Sequence, residues 1–133
     1  MCLYYYLKPK QASKIKAEAR KRGYIRVWKV CGYKETGWCF GLKWKKGLRK
    51  SAHIKSRDGG WYAYLSKEEA ESRIAFWPYH EIKVCYAKPK WIKRLGEDMG
   101  KRKSGIFTHL AFPNWDKGDM TIREFRAMCK GKK

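Results

Sequence analysis

The chain has 133 residues and a formal net charge of +21 at pH 7. Apolar residues make up 44% of it and aromatic residues 16%. The chain therefore has enough hydrophobic residues to fold, and its length suits one domain with a modest core. No apolar run approaches the roughly 18–20 residues that a membrane-spanning helix needs, so we expect a soluble protein without a membrane partner.

The positive charge is concentrated at the two ends of the chain. Residues 1–57 carry 17 basic and two acidic side chains, and residues 101–133 carry nine and three, whereas seven of each cancel in residues 58–100. An anionic partner would offset the self-repulsion of such a charge. We therefore expect the two ends to form an electrostatic surface and the middle to be ordinary fold. The alternative is that the lysines only keep an aromatic-rich fold soluble.

The five cysteines, an odd number, form no Cys-x-x-Cys pair. They are Cys2, Cys31, Cys39, Cys85 and Cys129. The opening apolar run CLYYYL is too short for a secretory signal, so we expect reduced thiols and a cytoplasmic, intracellular protein. The spacing of Cys31 and Cys39 is too wide for a typical zinc-binding pair, and we expect neither a metal nor another cofactor.

Residues 8–23, KPKQASKIKAEARKRG, predict the first helix. Pro9 suits the first turn because its φ is fixed, and Gly23 suits the left-handed residue that follows a helix. The apolar stripe of this helix is thin and consists of Ala12, Ile15 and Ala19. Because the other positions are mostly basic, we expect a weakly docked helix with a positive face toward solvent.

Alternating residues predict strands at 24–31 and 38–45, joined as a hairpin by the glycine-bracketed loop 32–37. Residues 46–60 show no period and predict a basic loop. Further strands are predicted at 61–65, 80–87 and 106–112, with a helical turn after Pro89 around Trp91 and Leu95 and a basic turn at 100–105.

Two capping boxes predict the remaining helices. Ser66 with Glu69, and Thr121 with Glu124, have the spacing at which a hydroxyl and a carboxylate satisfy the free amides of a helix start. The helix that begins at Thr121 would end near Cys129, before a frayed basic tail at 130–133. The sequence thus predicts a single α+β domain over residues 1–133, with a mainly antiparallel sheet of about five strands and two or three short helices.

The segments GGWYAYLSKEEAESRI and EIKVCYAKPKWIKRLGE carry a resemblance. In the first segment a glycine precedes an aromatic strand and an acidic helix follows, and in the second a valine-containing strand runs into a turn with a late glycine. This layout resembles small uncharacterised proteins of phages and bacteria, and it covers roughly residues 59–112. The resemblance implies a phage-like origin and raises the expectation of a viral or host-directed role, and it implies no activity and no site residues.

The strongest functional signal is the close interleaving of basic and aromatic side chains in residues 24–64. Lys and Arg neutralise phosphates and release condensed counterions, and exposed rings stack on unpaired bases, at roughly 1–3 kcal/mol per base. The predicted phosphate contacts are Lys14, Arg20 and Arg22 of the first helix, followed by Lys43, Lys45, Lys46, Arg49, Lys50, Lys55 and Arg57. The predicted stacking residues are Tyr33, Trp44 and Trp61, with burial of the tryptophans in the core as the alternative. The sequence therefore predicts a protein that binds RNA or DNA.

Four other functions are compatible with the sequence. The first is an interaction protein or inhibitor that binds an acidic protein surface, and the second is a sponge for small anionic nucleotides. The third is a Mg²⁺-dependent nuclease, in which Asp58 and Glu81 would hold the metal and Lys83 would support the attacking water. A pair drawn from His53, His80 and His109 could also act as acid and base in metal-free RNA cleavage.

Overall fold

The computed structural model describes residues 5–31, 46–51, 55, 59–75, 81–114 and 118–131. This part of the chain is an α+β fold with eight strands and three α helices. The strands are β1 (Tyr5–Tyr6), β2 (Ile25–Cys31), β3 (Gly47–Lys50), β4 (Trp61–Tyr64), β5 (Glu81–Ala87), β6 (Ile92–Glu97), β7 (Lys103–Phe107) and β8 (His109–Phe112). The helices are α1 (Pro9–Arg22), α2 (Lys67–Ile74) and α3 (Ile122–Gly131), and a short 3-10 helix spans Pro89–Trp91. None of the helices described is long and apolar enough to cross a membrane.

All strands belong to one antiparallel sheet with the order β1-β6-β7-β4-β2-β5-β8-β3. Only Thr108 separates β7 from β8 along the chain, yet β4, β2 and β5 lie between them in the sheet. The sheet must therefore curve back on itself. Contacts across the curve show this directly, because the Trp61 ring lies 4.9 Å from that of Phe112 and its Nε1 donates to the Arg49 carbonyl at 2.8 Å.

Among the residues whose positions are described, two hydrophobic clusters join the sheet to helices α2 and α3. The larger one joins buried residues of β2, β4, β5, β7 and β8 to Phe125 of α3. The smaller one joins Val30 and Tyr64 of the sheet to Ala70 of α2. Helices α2 and α3 thus pack in separate clusters.

The helix ends follow the predicted chemistry. Helix α1 begins at Pro9 and is closed by Gly23, whose φ is +86° and whose amide donates to the Ala19 carbonyl at 2.8 Å. The Ser66 and Thr121 hydroxyls each accept from the amide of the Glu three residues later, at 3.2 Å in both cases. Of the predicted stripe on α1, Ala19 is buried and Ala12 and Ile15 are half-buried, so α1 is weakly docked as expected.

Strands β2, β4 and β5 confirm three predicted strands, and the α+β fold with an antiparallel sheet is as predicted, with eight strands in the described residues where about five were expected. Residues 106–112 are not one strand, because the chain bends at Thr108 and pairs with different neighbours on either side. The helical turn after Pro89 ends at Trp91, and Leu95 lies in β6 rather than in a helix. Part of the predicted loop 46–60 forms β3, and Lys103 to Gly105 of the predicted basic turn belong to β7. The predicted hairpin loop 32–37 and return strand 38–45 lie outside the described residues.

Candidate functional site

A cleft of about 820 Å³ lies between the C-terminal half of α1, the segment around the 3-10 helix, and α3. Its charged lining residues are all basic: Lys16, Arg20, Lys88, Lys90, Arg126 and Lys130. No acidic side chain of the described residues lines it. Such an arrangement attracts anions, because no carboxylate within the cleft neutralises the cations.

The floor of the cleft is apolar and firmly held. Phe125 is buried beneath it, with its ring stacked on Tyr86 at 5.5 Å and in edge contact with Trp91 at 6.4 Å. Half-buried Ile92 and Cys129 extend this floor toward solvent. The cleft therefore combines a rigid apolar base with a charged rim.

Lys88 and Cys129 show how the two parts of the cleft meet. The Lys88 Nζ lies 5.7 Å from the centre of the Trp91 ring, within range of a cation–π contact. Burial raises the pKa of the Cys129 thiol, and the positive charge of Lys88 acts in the opposite direction. The charge of Lys88 at the rim thus lowers the pKa of the Cys129 thiol in the floor, against the larger effect of burial.

Positive charge continues from the cleft toward β3. The His109 ring stacks on Trp91 at 5.2 Å. Burial lowers the pKa of His109, and the nearby charges of Lys50 and Lys90 lower it further. Lys50 of β3 pairs with His109 across β3 and β8, so His109 lies near a cation of β3 and, through Lys90, near a cation of the cleft rim.

The structure brings only some of the predicted phosphate contacts to this surface. Arg20 lines the cleft, and the exposed Lys50 pairs with His109 across β3 and β8. Arg49 is half-buried on β3, and the remaining described candidates Lys14, Arg22, Lys46 and Lys55 are exposed. Lys43, Lys45, Arg57, Tyr33 and Trp44 lie outside the described residues.

Trp61 is not available for base stacking. Its side chain is only 4% exposed, its ring packs edge-on against Phe112, and its Nε1 is bonded to the Arg49 carbonyl. Because the curved sheet encloses this ring, a base cannot reach its face. Trp61 is a core residue, and we remove it from the stacking candidates.

Of the proposed nuclease residues, the structure describes Glu81 and Lys83. The Lys83 Nζ lies 3.9 Å from Glu81 Oε2, and Asp58 is outside the described residues. Among residues with described positions, no three His, Cys, Asp or Glu side chains are grouped so that they could hold a metal ion. Of the histidines, only His109 is described, and it bonds to the Thr108 hydroxyl at 2.9 Å. Nuclease and acid–base cleavage remain predictions.

Sequence reasoning missed most of the cleft. Lys16, Lys88, Lys90, Arg126 and Lys130 were not among the predicted contacts. Lys88 and Lys90 lie in the segment whose charges cancel, so its zero net charge concealed them. The local run KPKWIKR, with four cations in seven residues, was the available signal.

No protein-family model, curated protein or solved structure matches the chain. The resemblance of residues 59–112 to small phage and bacterial proteins therefore gains no support from these comparisons. Any functional assignment rests on the residues and geometry of this chain.

Proposed function

We propose that this protein binds nucleic acid, RNA or DNA, mainly through its phosphates, and that it acts as a binding protein rather than an enzyme. The observation that carries the proposal is the cleft with six cations and no acid among its described lining residues. Exposed cations of α1 and β3 would extend the contact surface.

The separation of acids from the cleft supports a polyanionic partner. Asp98 is a buried acid in the β6–β7 turn that accepts hydrogen bonds from Arg102 and from Tyr64 of β4. Glu69 accepts hydrogen bonds from the Ser66 hydroxyl and from the Lys103 amide. These carboxylates are engaged within the fold, so they do not pair with the cleft cations. A polyphosphate that meets such cations displaces condensed counterions, which favours binding regardless of base sequence.

The test compares two double variants with the same change in net charge. Lys90→Glu with Arg126→Glu reverses two exposed cleft cations, and Lys67→Glu with Lys101→Glu reverses two exposed cations that do not line the cleft. Affinity for labelled single-stranded and duplex oligonucleotides is measured by fluorescence anisotropy. We expect the cleft variant to lose on the order of tenfold or more in affinity and the control to lose much less, because only the first removes direct phosphate contacts.

Equal losses in the two variants would show that overall charge, not the cleft, attracts the oligonucleotide. Absence of binding to any oligonucleotide near physiological salt would refute the proposal. The acidic-protein hypothesis would then take its place, because the same cations could bind carboxylates.

A further inference from the structure

We propose that the cleft holds one unpaired nucleotide of a nucleic-acid strand, with its base on the apolar floor and its phosphates on the basic rim. This inference rests on the nucleic-acid binding proposed above. It adds a preference for unpaired over paired strands.

The first argument is the composition of the cleft. Phosphate binding alone needs only cations and amides, and it gains nothing from an apolar floor. The floor around Phe125, Ile92 and Cys129 would stay in contact with water if only phosphates were bound at the rim. A ligand that carries an apolar ring next to its negative charge covers the floor and neutralises the rim at once.

The second argument is shape. A duplex keeps its bases stacked inside and presents phosphates on a convex surface, so it can touch the rim of a small concave site but cannot reach its floor. The cleft, at about 820 Å³, has the size of sites that enclose a small organic ligand. An unpaired nucleotide can turn its base into such a site while the strand continues along the rim.

The third argument is rigidity. The Phe125 ring stacks on Tyr86 and is in edge contact with Trp91, and Trp91 in turn stacks on His109. The floor is therefore formed before any ligand arrives, which reduces the entropic cost of binding. Because Phe125 is only 3% exposed, the base would rest on the floor through apolar contact rather than full stacking.

The charge of the whole chain favours a strand over an acidic peptide as the occupant. Cations extend from the cleft along exposed positions of α1, including Arg22, and toward Lys50 of β3. A nucleic-acid strand carries one phosphate per nucleotide and can follow such a surface out of the cleft in either direction.

The first test places a large side chain in the cleft without changing its charge. Cys129→Phe places a large ring on the floor, and Ala127→Phe makes the matched change at an exposed position of the same helix that does not line the cleft. Anisotropy titrations compare a short single strand with a blunt-ended duplex that has the same number of phosphates. We expect Cys129→Phe to weaken single-strand binding by about tenfold, equivalent to ~1.4 kcal/mol, and to leave duplex binding unchanged. Ala127→Phe should change neither.

A second measurement uses the wild-type protein and does not depend on how a variant folds. The Cys129 thiol lines the cleft, so its rate of modification by N-ethylmaleimide, followed by mass spectrometry of its peptide, reports occupancy. We expect a saturating single strand to slow this modification several-fold and a saturating duplex to leave it nearly unchanged.

Three outcomes would overturn the inference while nucleic-acid binding stands. They are equal protection of Cys129 by single strand and duplex, unchanged single-strand affinity in a folded Cys129→Phe variant, and displacement of the strand by poly-glutamate of equal charge at equal concentration. If neither the strand nor the duplex binds, the proposed function itself fails.

Discussion

Asp98 organises the turn between β6 and β7 through four accepted hydrogen bonds. Its Oδ1 accepts from the amides of Gly100 and Arg102 at 2.9 Å, and its Oδ2 accepts from the Tyr64 hydroxyl at 2.9 Å and from Arg102 Nη1 at 3.1 Å. Burial raises the pKa of this carboxyl, but the hydrogen bonds from Arg102 and Tyr64 outweigh burial and the net pKa is lowered. Asp98 is therefore an ionised structural residue.

Replacing Asp98 by Ala should lower the free energy of unfolding by about 3 kcal/mol, because the buried Tyr64 hydroxyl and the Arg102 guanidinium lose their charged acceptor. Urea unfolding at neutral pH measures the change. The control is Asp119→Ala, since Asp119 is exposed and accepts a long bond of 3.4 Å from the Val84 amide. A similar small loss in both variants would contradict the role assigned to Asp98.

His109 gives the fold a pH dependence of defined sign. Its pKa lies below the usual 6.5 in the folded state because of burial and then of Lys50 and Lys90, so the unfolded chain takes up the proton first as the pH falls. The free energy of unfolding should thus decrease as the pH falls from about 6.5 toward the lower folded pKa. The variant His109→Phe keeps a ring on Trp91 and removes this titration.

We expect the wild-type protein to lose more stability than His109→Phe between about pH 7.5 and about pH 5, where an ordinary histidine titrates. Urea unfolding at both pH values gives the two differences. The substitution also removes the bond to Thr108 and changes stability at every pH. The test is therefore the difference between the two pH values, compared between the two proteins. An equal or larger loss in the variant would show that His109 is not responsible.

At the scale of the elements, sequence patterns succeeded where they depended on local chemistry. Pro9 and Gly23 bounded α1, and Ser66 and Thr121 marked two helix starts, because capping involves only neighbouring residues. Strand β6 was missed because IKRLGE has no alternation of apolar and polar residues, and its pairing with β7 comes from tertiary structure. The bend at Thr108 was also invisible, since its amide and carbonyl bond to the distant Trp91 and Ser51.

Two glycines with positive φ should respond very differently to substitution by Ala. Around Gly23, at φ +86°, a Cβ would meet no atom within 4 Å, so we expect only the conformational cost, about 1–2 kcal/mol. Next to Gly60, at φ +148°, a Cβ would lie 2.5 Å from Ile106 Cγ2 and 2.8 Å from the Phe107 carbonyl oxygen. Gly60→Ala should therefore cost about 3 kcal/mol or more.

Urea unfolding of the two variants measures the contrast, with Gly118→Ala at a half-buried glycine as a second case of positive φ without a clash. Equal costs at all three positions would mean that backbone conformation alone, and not the close approach of β7, sets the requirement for glycine at Gly60.

At the scale of the whole molecule, the sequence indicated a basic surface but not its location. The cleft draws its cations from α1, from the segment around Pro89 and from α3, which are far apart along the chain. The net charge of residues 58–100 is zero because acids such as Glu69 and Asp98 cancel Lys88 and Lys90 in the sum. In the fold these acids bond to other residues and do not neutralise the cleft. Conversely, Trp61 lies among lysines in the sequence but is enclosed by the sheet.

The last prediction concerns salt and applies to the complete basic surface. If several phosphates are bound, a plot of log affinity against log salt concentration should have a slope on the order of −4 or more negative. Each lost contact makes the slope shallower by roughly 0.7–0.9, because one fewer counterion is released. The Lys90→Glu, Arg126→Glu variant should therefore show a slope shallower by about 1.5 or more. Its Lys67→Glu, Lys101→Glu control should keep nearly the wild-type slope.

Anisotropy titrations over a series of salt concentrations give these slopes for the same single strand. The slope counts contacts rather than affinity, so it distinguishes a loss of cleft contacts from a general weakening by reduced net charge. If the two double variants shift the slope equally, the phosphates contact the surface without preference for the cleft. If the wild-type slope is near zero, the +21 charge of the chain serves something other than a polyphosphate.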